Sequence, residues 1–133
     1  MPAPLEIGGV TVPAGVICIV DDDASLARAL QRLLHASGFR ALTFRSGEAF
    51  LGALPSPAPR CVVLDVHLGG LNGFQVHETL ASRGTTIPTI FITAHDDAAT
   101  RERALRTGAG AYLPKPFDED SLISAIRSAI ARD

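Results

Sequence analysis

Several features that would assign this 133-residue chain to a particular class of protein are scarce or missing. Its 12 basic and 14 acidic residues give a formal net charge of -2, so no basic excess is available to hold nucleic acid through its phosphates. No apolar run approaches the length of a membrane-spanning helix, and the N-terminus lacks a basic segment followed by an apolar core. We therefore expect a cytoplasmic protein that does not itself contact nucleic acid or membrane.

Cysteine is scarce as well, and both copies, Cys18 and Cys61, lie inside apolar runs. Each should behave as a small buried hydrophobic residue, because a single disulfide would be unusual in a cytosolic α/β domain. The cysteines and the four histidines are scattered, with no CxxC or HxxxH spacing. The sequence therefore argues against a zinc site.

Length and composition predict one globular domain, since 133 residues with a hydrophobic fraction of 47% can bury a sizeable core. Residues 1–15 are rich in proline and glycine and are predicted to be an irregular N-terminal extension, in which residues 7–12 could form a short strand or hairpin. The domain itself is predicted to occupy residues 16–133.

Apolar, β-branched runs in this domain end abruptly in polar residues, which is typical of parallel strands buried on both faces. Helical patterns separate the runs, and the alternation predicts an α/β fold with a five-stranded parallel sheet and helices on both faces. The carboxyl ends of parallel strands meet at one edge, where ligands bind in such folds. The polar residues expected at that edge are Asp21, Asp22, Asp65, Thr93 and Lys115.

These residue types together favour phosphoryl chemistry. Clustered carboxylates repel one another and are stable chiefly around a hard cation, for which Mg²⁺ is the natural candidate. One of the ionised carboxylates can then act as a nucleophile towards phosphorus. Thr93 and Lys115, the only lysine in the chain, can bind the phosphoryl oxygens.

From Val16 to Ala131 the chain resembles a receiver domain of a two-component response regulator, the CheY-like family. The matching segments are Ile19-Val20-Asp21-Asp22-Asp23, Val63-Leu64-Asp65, Asn72-Gly73, Phe91-Ile92-Thr93-Ala94, Gly108-Ala109 and Lys115-Pro116-Phe117. The resemblance implies a flavodoxin-like, doubly wound three-layer sandwich with strand order 2-1-3-4-5. It also implies a cis bond between Lys115 and Pro116.

The same resemblance implies the roles of the site residues. Asp65 would accept a phosphoryl group from the phosphohistidine of a sensor histidine kinase, without acting as a turnover enzyme. Asp22, Asp65 and the main-chain carbonyl of His67 would bind Mg²⁺, and Asp21 would assist through water. Thr93 and Lys115 would hold the phosphate, and Tyr112 occupies the position of the family's switch aromatic, although simple packing is the alternative for that ring.

The loop after the phosphoacceptor strand departs from the family pattern. Leu68-Gly69-Gly70 replaces the methionine-proline of many members, and the two glycines should loosen the loop that presents the His67 carbonyl. The resemblance assigns His67 and His95 to positions that control water access to the phosphate. We expect them to tune hydrolysis, with two solvated loop histidines as the alternative.

Two other classes of protein share parts of the pattern. In a haloacid-dehalogenase-type phosphohydrolase, Asp21-Asp22-Asp23-Ala24-Ser25 would be the nucleophile motif, but the chain is short for that class and has no acidic pair after the lysine strand that is typical of its metal site. In a flavodoxin-like flavin carrier, the strand-end loops would need a hydroxyl-rich phosphate cradle, which this sequence does not supply.

The output is expected to lie outside this chain. In the family, phosphorylation changes the face formed by the fourth helix, the fifth strand and the fifth helix, and we expect that face to mediate phosphorylation-dependent homodimerisation. Several short segments resemble receivers joined to LuxR-type helix-turn-helix transcriptional regulators. We therefore interpret the chain as a fragment of a transcription regulator rather than a stand-alone receiver.

Overall fold

The computed structural model describes residues 5–7, 10–12, 16–54 and 59–131. In the N-terminal extension, β1 (Leu5–Ile7) and β2 (Val10–Val12) pair antiparallel, with Leu5 opposite Val12. The sequence suggested a short strand or hairpin at residues 7–12, and the observed hairpin begins two residues earlier, at Leu5. The irregular structure expected for residues 1–4, 8–9 and 13–15 falls outside the described residues.

A five-stranded parallel sheet forms the centre of the domain. Its strands lie in the order β4-β3-β5-β6-β7, which confirms the expected order 2-1-3-4-5. Edge strand β4 pairs only with β3, and two of its four residues are exposed, as its sequence predicts. The strands are β3 (Ile17–Val20), β4 (Ala41–Phe44), β5 (Cys61–Asp65), β6 (Thr89–Thr93) and β7 (Ala111–Pro114).

Side-chain caps fix where four of the helices begin. Asp23, Ser46, Asn72 and Asp97 each accept a hydrogen bond from a backbone N–H of the first turn, which satisfies a donor that has no partner within the helix. Asn72 and Gln75 form a reciprocal capping box. The helices are α1 (Ala24–Ala36), α2 (Gly47–Gly52), α3 (Gly73–Ser82), α4 (Ala98–Arg106) and α5 (Glu119–Ala131).

The core has two halves, one on each face of the sheet. Residues alternate along each strand, so Ile17 and Ile19 face the helices α1 and α5, while Cys18 and Val20 face the opposite side. That opposite side is covered by α2, α3 and α4. Cys18 and Cys61 are both fully buried, as expected, and belong to different halves of the core.

Helix α4 is attached to the domain differently from the other helices. Ala104 is its only buried residue, and Leu105 is 71% exposed. Arg103 instead lies over the ring of Phe74, 4.6 Å from its centroid, and pairs with Glu78 of α3 at 3.4 Å. This helix is therefore weakly anchored, because polar contacts replace apolar burial.

Phe91 offers a quantitative test of this core. Its ring is fully buried and lies 4.9 Å from the ring of Phe74, so Phe91→Ala should lower the free energy of unfolding by about 3–5 kcal/mol. Urea unfolding followed by far-UV circular dichroism suits a chain without tryptophan. The matched control Leu105→Ala should change stability by less than about 0.5 kcal/mol, because that side chain is exposed. Equal losses in the two variants would contradict this description of the core.

Candidate functional site

Three aspartates meet at the carboxyl edge of the sheet. Asp21 and Asp22 follow β3, and Asp65 is the last residue of the neighbouring strand β5. One carboxylate oxygen from each lies within 4.8 Å of the other two. Asp21 is fully buried and Asp65 is 4% exposed, whereas Asp22 faces solvent. The fold thus brings together residues 44 positions apart in sequence, as expected from the parallel strands.

The ammonium group of Lys115 bridges the two buried carboxylates. Its Nζ donates to Asp21 Oδ2 at 2.9 Å and to Asp65 Oδ2 at 3.4 Å. Lys115 follows β7, which is two strands away from β5. The peptide bond from Lys115 to Pro116 is cis, which confirms the expectation. The lysine therefore reaches across the edge of the sheet into the acidic cluster.

Similar turns follow β5 and β6. The backbone N–H of His67 donates to Asp65 Oδ1 at 3.1 Å, and the N–H of His95 donates to the hydroxyl of Thr93 at 3.0 Å. Thr93 is fully buried at the end of β6. Each strand-end side chain is thus held by the N–H two residues later, and each loop then places a histidine beside the edge.

The two histidine rings contact each other. The imidazoles of His67 and His95 pack edge to face, with centroids 4.7 Å apart and planes inclined by 81°. Both residues are exposed. The structure therefore brings together the two side chains that the family resemblance linked to the phosphate.

Tyr112 lies in a small polar network next to this edge. Its hydroxyl donates to Asp96 Oδ1 at 3.0 Å, and Arg101 binds both oxygens of the same carboxylate at 2.8 and 2.9 Å. Burial, together with the hydrogen bond to Asp96, raises the pKa of Tyr112 to about 12. The role of Asp96 was not anticipated, because its sequence position suggested only a helix cap, a function that Asp97 performs.

Gly73 is a second residue whose importance appears only in three dimensions. A Cβ at this position would lie 2.5 Å from the main-chain oxygen of Asp65. The absence of a side chain lets the first turn of α3 approach the end of β5, where the Gly73 N–H donates to the Val66 carbonyl at 2.9 Å. The Asn72-Gly73 pair is one of the segments that match the family, but the sequence does not show why a glycine is required at this position.

Electrostatics at the cluster raise the free-energy cost of ionising Asp65. Burial, and then the negative charge of Asp21, raise the pKa of the Asp65 carboxyl, and Lys115 and the His67 N–H offset only part of this. Burial alone lowers the pKa of Lys115, but its hydrogen bond to Asp21 and the two carboxylate charges outweigh burial, so that pKa is raised. The lysine stays charged at neutral pH, and Asp65 is costly to ionise without further positive charge.

The donor set fits a hard divalent cation. All three side chains offer carboxylate oxygen, which Mg²⁺ prefers, and their spacing allows one ion to contact all of them. When ionised, three carboxylates and one ammonium leave two negative charges, which such an ion would balance. Asp21, Asp22 and Asp65 are therefore suited to hold Mg²⁺.

Comparison with known proteins identifies the family. The family model of the response regulator receiver domain matches residues 17–127, which is most of the chain. The chain belongs to this family, as its fold and acidic cluster indicate. It is a receiver domain of the two-component type, so the phosphohydrolase and flavin-carrier alternatives are set aside.

Individual relatives support the same conclusion. The chain is 40% identical over 115 residues to the response regulator protein TmoT of Ectopseudomonas mendocina, covering 86% of this chain and 52% of that protein. It is 37% identical over 116 residues to the transcriptional regulatory protein FixJ of Bradyrhizobium diazoefficiens, covering 87% and 57%. The chain thus spans little more than half the length of these two relatives.

Solved structures agree with the fold. A crystal structure of a response regulator receiver protein from Burkholderia phymatum is 48% identical, with a TM-score of 0.77 and coverage of 88% of this chain and 95% of that chain. The crystal structure titled FixJ-N is 29% identical with a TM-score of 0.83, covering 92% and 98%. The five-stranded parallel sheet is therefore the shared receiver fold.

The raised pKa of Asp65 predicts a pH-dependent effect of Asp65→Asn on stability. Burial gives the Asp65 carboxyl a higher pKa in the folded state than in the unfolded state. The fold therefore loses stability as the pH rises between these two pKa values, because ionising the carboxyl costs more free energy in the folded state. In buffer free of divalent ions, Asp65→Asn should therefore unfold at higher urea than the wild type at pH 7, with a smaller difference near pH 3.5. Added Mg²⁺ should narrow the gap, because it stabilises the ionised carboxylates.

Asp118→Asn is the matched control for this measurement. Asp118 is exposed at the start of α5, and the N–H of Ser121 lowers the pKa of its carboxyl. The contribution of Asp118 to stability therefore changes with pH in the opposite direction to that of Asp65. This variant should be no more stable than the wild type at pH 7. An Asp65→Asn variant that is less stable than the wild type at pH 7 without Mg²⁺ would contradict the electrostatic description.

Proposed function

We propose that Asp65 is the phosphoacceptor of a receiver domain occupying residues 16–133, and that a sensor histidine kinase is its phosphodonor. The observation that carries this proposal is the buried Asp65 carboxylate, placed between the acids that follow β3 and the Lys115 ammonium. Several relatives are transcription regulators by name, including FixJ and NtrC. We assign Asp65 because it alone of the three aspartates ends a strand at the centre of the sheet.

The transfer step is an exchange of one bond to phosphorus for another. An oxygen of the Asp65 carboxylate attacks the phosphorus of the kinase phosphohistidine, the new O–P bond forms, and the P–N bond breaks. The electron pair of the broken bond stays on the departing imidazole. Asp22, Asp65 and the His67 carbonyl would hold Mg²⁺, with Asp21 assisting through water, and the ion would supply positive charge to neutralise the phosphoryl oxygens.

Two residues of this chain then hold the product. The Lys115 ammonium already lies beside Asp65 and can bind one phosphoryl oxygen. The Thr93 hydroxyl accepts from the His95 N–H, and its own proton remains available for a phosphoryl oxygen. The domain is a phosphoacceptor that phosphorylates and dephosphorylates itself, rather than an enzyme with turnover.

The histidine pair is proposed to set the lifetime of the acyl phosphate. His67 and His95 follow Asp65 and Thr93 by two residues each, and their rings contact each other. The side chain of Glu48 contributes to this region, because it accepts from the N–H of Leu71 at 3.3 Å and ties the glycine-containing loop to α2. The position of the histidine pair directly after the strand ends supports a role in hydrolysis.

Phosphorylation is proposed to act through Tyr112 and α4. The phosphoryl group adds about two negative charges beside Lys115 and Thr93. Movement of Thr93 towards it would release space for the Tyr112 ring, which must first leave its hydrogen bond to Asp96. Because α4 has one buried residue, it is the element most easily repositioned. We propose that the face of α4, β7 and α5 then mediates homodimerisation.

The wider setting is also a proposal. We place the protein in the cytoplasm, as part of a LuxR-type transcription regulator whose DNA contacts are made elsewhere. Among the described residues no helix is long and apolar enough to cross a membrane. The near balance of basic and acidic residues supports an absence of direct nucleic acid contact by this domain.

Phosphoryl uptake is the direct test of the proposal. Incubation with acetyl phosphate and Mg²⁺ should increase the intact mass by one phosphoryl group, and Asp65→Asn or omission of Mg²⁺ should abolish the gain. Asp118→Asn is the matched control and should gain the group normally, because its exposed carboxylate lies outside the cluster.

The rate at which the phosphorylated protein loses its phosphoryl group tests the histidine pair. After removal of acetyl phosphate, this rate should change in His67→Ala and His95→Ala. An unchanged rate would reject their role in tuning hydrolysis.

Dimerisation gives a second test. Sedimentation velocity should show a monomer that becomes a dimer when beryllofluoride, a stable phosphoryl mimic, is added with Mg²⁺. Leu105→Asp should remain monomeric because it places a charge on the exposed surface of α4, whereas Leu42→Asp on the edge strand β4 is the control and should still dimerise. A single monomeric species in both states of the wild type would reject the proposed dimer.

A further inference from the structure

We infer that the imidazoles of His67 and His95 form a second metal site, specific for a borderline transition metal such as Zn²⁺, at the mouth of the acidic cluster. The two rings lie 4.7 Å apart between centroids and both residues are exposed, so an ion from solvent can reach them. Imidazole nitrogen suits Zn²⁺, Cu²⁺ and Ni²⁺, whereas Mg²⁺ prefers oxygen. The two sites would therefore take different ions.

The backbone holds this pair in place. His67 and His95 each follow the end of one of two adjacent parallel strands, and their N–H groups are fixed on Asp65 Oδ1 and Thr93 Oγ1. Two nitrogens bound to one tetrahedral Zn²⁺ lie about 3.3 Å apart, given Zn–N bonds of about 2.0–2.1 Å. The ring centroids are 4.7 Å apart, so binding requires rotation about the soft χ2 angles to bring one nitrogen of each ring to that separation.

The surroundings of the rings favour a cation. Among the described ranges, no residue forms a hydrogen bond to a ring nitrogen of His67 or His95, so these nitrogens are available as ligands. The Asp97 carboxylate lies close enough to interact electrostatically with His67. Water would complete the coordination, since no third protein ligand joins the two imidazoles in the described part of the chain.

This inference revises the expectation from sequence that zinc binding was unlikely. That expectation rested on the absence of closely spaced ligands, but the two histidines are 28 positions apart and meet only through the parallel pairing of β5 and β6. An ion between them would tie together the two loops that flank Asp65. This expectation rests on the proposed function: if Asp65 is the phosphoacceptor, an ion bound by His67 and His95 should slow phosphoryl uptake severalfold.

Calorimetric titration with ZnCl₂ tests the site directly. The full chain, treated with EDTA and returned to excess Mg²⁺ to occupy the carboxylates, should bind one Zn²⁺. Removing even an indirect partner of a metal ligand costs about 10–100-fold in affinity, so His67→Ala and His95→Ala should each weaken binding at least tenfold. His35→Ala is the matched control, an exposed histidine at the end of α1, and should bind as the wild type does.

Other outcomes would overturn the inference. If His67→Ala and His95→Ala both bind Zn²⁺ as tightly as the wild type, the ion is bound by the carboxylates. Loss of Zn²⁺ binding in Asp65→Asn alone would lead to the same conclusion. If the wild type binds no Zn²⁺, the site does not exist. Electron paramagnetic resonance with Cu²⁺ should show nitrogen ligands in the wild type and lose them in the double variant. Uptake from acetyl phosphate without Zn²⁺ tests the proposed function separately, and uptake unaffected by Zn²⁺ would reject the slowing effect.

Discussion

The constraint on which this site depends is the repulsion between carboxylates held at one end of a buried sheet. Asp21 and Asp65 have almost no exposure, and taking a carboxylate out of water is unfavourable unless a positive charge accompanies it. Lys115 supplies that charge by binding one oxygen of each. One ammonium cannot balance three carboxylates, so the cluster is suited to bind a divalent cation.

The rest of the fold serves to maintain that arrangement. The central strands β3, β5 and β6 are buried on both faces, and their rigidity fixes the positions of the strand-end side chains. Gly73 allows α3 to begin directly beside Asp65, and capping by Asn72 fixes where it begins. The same face of the sheet carries a contrasting element, because α4 is attached mainly through arginine contacts to Phe74, Glu78 and Asp96. A domain with a rigid site and one weakly packed helix can respond to a charge change at the site without unfolding.

Polar contacts around Tyr112 and the contact between the two histidines lie between the rigid site and α4. The Tyr112 hydroxyl shares the Asp96 carboxylate with Arg101, so the ring cannot turn without breaking contacts that also involve α4. The His67–His95 contact links the loops after β5 and β6, which lead into α3 and α4. The loops beside the strand ends and the first turn of α4 therefore share contacts, through Asp96 and through the histidine pair.

The sequence alone was enough to predict the α/β class and the meeting of Asp21, Asp22, Asp65 and Lys115, and the strand order followed from the resemblance to the receiver family. The class and the meeting of these residues follow from local patterns: apolar runs identify buried strands, and parallel pairing places their polar ends together. Contacts between separate loops and elements could not be predicted in this way. The hydrogen bond of Tyr112 to Asp96, the close approach that requires Gly73, and the packing of His67 against His95 were decided by tertiary structure, because each depends on the distance between two loops or elements rather than on any periodicity along the chain.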